Sequence, residues 1–122
     1  INKLIDNCLA KNQKTTINIL NENIFTNDEC ILILRTFLNK SKKLLKLLEN
    51  FQKNNDIEKT ISSAKPPIFW KDKEIVKKQI SFWDLKQIRE LIIEISNIEL
   101  KIKKNSLNSV NFLTDFLLEK SI

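Results

Sequence analysis

The residues whose types could do chemistry are Cys8 and Cys30, the carboxylates Glu90, Glu94 and Glu99, and the lysines Lys101, Lys103 and Lys104. A thiol or hydroxyl nucleophile needs a base beside it, and this chain has no histidine. Histidine-based triads and imidazole metal ligands are therefore excluded. Two isolated thiols make no metal-ligand pattern. They read as free and reduced, as in a cytoplasmic protein, rather than as a disulfide. No Gly-Lys-Ser/Thr stretch exists to cradle a phosphate, and glycine is absent altogether. Glu90 and Glu94 follow a helix surface. Glu99 lies between Ile98 and Leu100 and is read as a rim carboxylate paired with Lys103 at i+4. Arg35 and Arg89 are the only arginines, too few and too far apart for bidentate capture of an anionic substrate. The expectation is a non-catalytic chain with no cofactor and no metal.

Binding chemistry is the remaining option. Phe69, Trp70, Phe82 and Trp83 could stack on bases, but aromatics at helical spacing beside Ile and Leu are more often core. Lys101, Lys103 and Lys104 form a basic corner that suits a phosphate backbone or, equally, the negative end of a helix. A net charge of +6 fits a polyanionic partner. The Ile, Lys and Asn bias resembles that of an AT-rich bacterial genome, however, and drift alone raises lysine in such chains.

Helices must position these residues. Ile1 to Leu9 puts Leu4, Ile5, Cys8 and Leu9 on one face, and a second short helix covers Lys14 to Asn21. Thr26 and Glu29 make a capping box. The helix it opens runs to about Asn50, with Leu34, Leu38, Leu45 and Leu48 beside Ile33, Phe37, Leu44, Leu47 and Phe51. Lys40, Lys42, Lys43 and Lys46 hold its remaining face, as a solvated back or as a phosphate-binding stripe. Asp56 or Asn55 caps a short helix ending near Ala64. Another short helix spans Asp72 to Ile80, and Ser81 is the expected cap of the next. Trp83, Leu85, Ile88, Leu91, Ile92, Ile95, Ile98 and Ile102 recur at helical spacing up to Lys103. After a break at Lys104-Asn105-Ser106, the final helix carries Val110, Phe112, Leu113, Phe116, Leu117 and Leu118. It is apolar around much of its circumference, so it lies mid-bundle or meets another subunit. The fold class is all-α, a compact bundle of five to seven helices in one domain spanning 1–122. No apolar run is long enough to span a membrane.

The two prolines stand together in Ala64-Lys65-Pro66-Pro67-Ile68-Phe69-Trp70-Lys71-Asp72-Lys73. Proline fixes φ and donates no backbone hydrogen bond. The step at Pro66-Pro67 is therefore expected to be a hinge between two helical halves. Ile68, Phe69 and Trp70 are expected to plug into the core and pin the halves together.

That stretch, followed by Trp83-Asp84-Leu85, then Ile88, Leu91 and Ile98-Glu99-Leu100-Lys101-Ile102-Lys103, and a closing Leu-rich helix, resembles the C-terminal part of the delta subunit of the bacterial DNA polymerase III clamp loader. Leu34-Arg35-Thr36-Phe37 upstream fits the long helix before that family's hinge. The resemblance covers Cys30 to Leu118 best. It implies a collar domain from a longer chain, consistent with a sequence that lacks methionine and begins at Ile1 inside a helix. Such a domain packs beside those of the gamma/tau and delta-prime subunits and has no active site, although its parent belongs to a nucleotidyltransferase holoenzyme. Phe112, Phe116 and Leu117 are the expected subunit interface. Lys103 and Lys104 are the corner expected to face primer-template DNA in the assembled complex. This chain departs from the family in lacking glycine, in having few arginines and in having no aromatic at that corner. The alternative is an independent basic helical module that binds nucleic acid.

Overall fold

Two reciprocal caps start the two long helices of the bundle. Thr26 Oγ1 accepts from the Glu29 amide while Glu29 Oε1 accepts from the Thr26 amide. Asp84 and Gln87 repeat the arrangement. Each box satisfies amides that the first helical turn leaves without partners. A computed structural model describes all residues 1–122. The chain is all-helical: α1 (Asn2–Leu9), α2 (Gln13–Glu22), α3 (Asn27–Asn54), α4 (Ile57–Ser62), α5 (Lys73–Phe82), α6 (Leu85–Lys104) and α7 (Ser109–Lys120), with no strand. Single 3-10 turns at Trp70–Asp72 and Ser106–Asn108 lead into α5 and α7.

Asp84, not Ser81, caps α6. Ser81 sits inside α5, where its hydroxyl donates to the Lys77 carbonyl. Asp56 caps α4 by accepting from the Lys59 amide. α3 runs one turn beyond the expected end and stops at Asn55, which takes a left-handed φ of 53°. Lys11 does the same between α1 and α2, with φ 59°. Asn tolerates this region, whereas for Lys it costs roughly 1 kcal/mol or more. In a chain without glycine, Lys11 must recover that cost through contacts of its own.

α3 and α6 form the antiparallel spine. Arg35 near the start of α3 meets Glu99 near the end of α6, at 3.4 Å. Ile33, Leu34, Phe37 and Leu44 of α3 pack with Ile88, Leu91, Ile95 and Ile102 of α6 in one core cluster. That cluster draws on all seven helices. α1 lies across α5 and α7. Gln79 Nε2 donates to the Asp6 carbonyl at 3.0 Å, and Cys8 Sγ to the Leu117 carbonyl at 3.4 Å.

This arrangement corrects the expected hinge. Residues before and after Pro66-Pro67 share a single core, because the buried faces of α1 and α3 are covered by α5, α6 and α7. The proline step is a surface strap from α4 to α5, with Pro66 and Pro67 both exposed. The close is also clear for α7. Leu113, Phe116 and Leu117 are buried, with α7 packed on α1, α2, α3 and α6. It is apolar on many sides because it has neighbours on many sides.

Candidate interaction surfaces

The strap does not pin the core with its aromatics. Trp70 is 69% exposed and Phe69 57%, their ring centroids 5.9 Å apart. Lys71 Nζ lies 5.4 Å from the Trp70 ring centroid. Of Ile68, Phe69 and Trp70, only Ile68 packs against the core. The inward positions that follow the 3-10 turn belong to Val76, Ile80 and Trp83, so Phe69 and Trp70 are left outside. An adjacent Phe-Trp pair held in an ordered turn yet turned to solvent is unusual.

The expected interface on α7 is likewise corrected. Phe116 and Leu117 are core residues, and Phe116 stands 5.9 Å from Phe37. Phe112 is half-buried, with Lys101 Nζ 4.7 Å from its ring centroid. None of the three offers a free apolar face. Lys103 and Lys104 do lie at the exposed end of α6. Lys103 pairs with Glu99 at 3.4 Å, as its i+4 spacing requires, and Glu99 is shared with Arg35.

The apolar surface lies elsewhere. Ile24, in the α2–α3 connection, is 98% exposed, and Leu107, in the α6–α7 connection, is 95% exposed. Leu32 and Leu100 are each more than half exposed, and Val110 is also exposed. The segments that carry these residues meet at one end of the bundle. There the start of α3 meets the end of α6 through Arg35–Glu99, and Cys30 lies against Ser109 at the start of α7. Sequence patterning held a faint signal for them. Leu100 falls off the Ile88-Leu91-Ile95-Ile98-Ile102 stripe, and Leu107 stands alone among polar residues.

A groove of about 600 Å³ runs between α3, the strap and α5. A smaller polar cleft of about 200 Å³ lies at Lys11, Trp83, Glu94 and Lys120. Beside that cleft, burial pushes the Cys8 thiol up to about 12, although Lys11 and Lys120 pull it back. Burial likewise lowers the Lys11 ammonium from its ordinary value. Both thiols are free and buried. No group of three or more His, Cys, Asp or Glu side chains is placed to hold a metal ion. No helix is long and apolar enough to cross a membrane. Comparison with protein families, with curated proteins and with solved structures finds no match for this chain.

Proposed function

We propose that this chain is a non-catalytic assembly module, the collar domain of a clamp-loader delta subunit that supports sliding-clamp loading in cytoplasmic DNA replication. Its partners in this reading are the gamma/tau and delta-prime subunits. The observation that carries it is the apolar end formed by Ile24, Leu32, Leu100, Leu107 and Val110. Scattered exposed apolar residues are ordinary, but a group of them at one end of a small bundle marks a protein contact. A ring of helical domains side by side needs such a face on each member. Lys103 and Lys104 border this end and would turn toward primer-template DNA in the assembly.

The test is co-purification of the chain with the gamma/tau and delta-prime subunits of its own organism. A stoichiometric complex that Leu100→Asp and Leu107→Asp abolish is expected. Absence of a complex, together with steeply salt-dependent DNA binding by the chain alone, would replace this reading with an independent nucleic-acid module.

A further inference from the structure

The strap groove has a composition that neither the fold nor the collar reading uses. Its apolar lining comes from Leu44 and Leu47 of α3, Ile68 and Phe69 of the strap, and Ile75 and Val76 of α5. Four lysines and two aspartates line it. One lysine is neutralised: Lys40 Nζ bonds Asp6 Oδ1 at 2.8 Å. Lys43, Lys46 and Lys65 have no carboxylate within ion-pair distance. Asp72 is unpaired as well, so the free charge on the groove is three lysines against one aspartate, net positive, carried on exposed side chains around the more buried Leu44, Leu47 and Val76.

We infer that this groove docks an acidic amphipathic helix from a protein partner. An apolar lining takes aliphatic anchors at i, i+3, i+4 and i+7 of a bound helix. The exposed lysines meet carboxylates on that helix's flanks, which fixes its orientation and speeds its encounter. The lining stretch of α3 runs from Lys40 to Asn50. At 1.5 Å per residue that is about 15 Å, room for roughly three turns of a partner. A nucleic acid fits less well. Its phosphates would satisfy the lysines and the exposed Phe69–Trp70 pair could stack on a base, but the aliphatic side chains between α3 and α5 would be left without a partner. Lys43, Lys46 and Phe69 are exposed, so they contribute little to the fold and are free to bind. This inference concerns a different face from the apolar end and does not depend on the collar reading.

The experiment uses the 122-residue chain and a fluorescein-labelled synthetic helix of about four turns. The peptide carries Leu at i, i+3, i+4 and i+7 and Glu on both flanks. Anisotropy titration is expected to show saturable binding that weakens with salt. A scrambled peptide of the same composition should bind at least tenfold more weakly. The Lys43→Glu/Lys46→Glu double variant and Phe69→Ala should each lose at least tenfold in affinity, with helical circular dichroism unchanged. Four results would overturn the inference: no saturation, equal binding of the scrambled peptide, equal binding by the variants, or displacement of the peptide by a single-stranded oligonucleotide that is insensitive to Phe69→Ala.

Discussion

The Lys11 ammonium stands 3.8 Å from the centre of the Trp83 ring, and the Trp83 indole donates to the Leu9 carbonyl at 2.8 Å. The same ammonium donates to the Lys120 carbonyl at 2.9 Å. Three segments distant in sequence thus meet at one lysine: the α1–α2 turn, the α5–α6 junction and the end of α7. The cation over the ring and the charged hydrogen bond offset the left-handed backbone that Lys11 adopts.

Lys11→Ala should therefore cost about 1–3 kcal/mol, despite removing a partly exposed side chain. Trp83→Ala should cost about 3–5 kcal/mol, since it also opens a cavity. Urea unfolding of each variant measures both. A loss below about 0.5 kcal/mol for Lys11→Ala would mark the contact as incidental.

Phe116→Ala should cost about 3–5 kcal/mol, the ordinary consequence of emptying a core position. A double-mutant cycle with Phe37→Ala should show coupling of roughly 0.5–1.5 kcal/mol, the range for tilted aromatic pairs. An exposed interface role for Phe116 would instead leave the unfolding midpoint of the isolated chain unmoved.

Trp70→Ala should change stability by no more than about 0.5 kcal/mol, because the ring is mostly in solvent. The intrinsic fluorescence of the parent chain should accordingly combine a red-shifted Trp70 with a blue-shifted Trp83. Loss of several kcal/mol on this substitution would mean that the strap pins the core after all.

Burial of Cys8 should make the fold sensitive to alkali. Its folded-state value of about 12 lies above the ordinary thiol value of 9.0. The thiol's contribution is fully present below pH 9 and is lost as pH rises toward 12. Across that window the chain should lose up to about 4 kcal/mol relative to Cys8→Ala. Lys11 opposes this: its lowered value means that the unfolded chain binds the extra proton, so its share of stability rises toward pH 10.5. Urea titrations of both proteins at pH 8.5, 10 and 11 separate the two effects. A constant difference between them would refute the Cys8 account.

The helices were legible because their signals are local. Thr26 with Glu29 announces the start of α3, and the Ile88-Leu91-Ile95-Ile102 spacing announces the buried face of α6. Which helix covers which is not local. Phe69, Trp70, Phe116 and Leu117 look alike as apolar residues, yet two are in water and two in the core. The difference lies in the number of neighbours around α7 and in the inward positions already filled along α5. Neither is written in spacing. The hinge reading failed for the same reason. Prolines mark where a helix cannot continue, but they do not say whether the flanking segments share a core.

The pairing of α1 with α7 has a consequence for synthesis on the ribosome. Cys8 with Leu117, and Lys11 with Lys120, join residues 109 positions apart. α1 is made well before α7, so the part of its bed that Leu117 and Lys120 supply follows more than a hundred residues later. Until α7 leaves the ribosome, Leu4, Ile5 and Leu9 have no complete bed to occupy. In the interval α2, α3 and α5 can cover α1 in part, and the portion of its apolar face that α7 closes stays open to solvent and to chaperones.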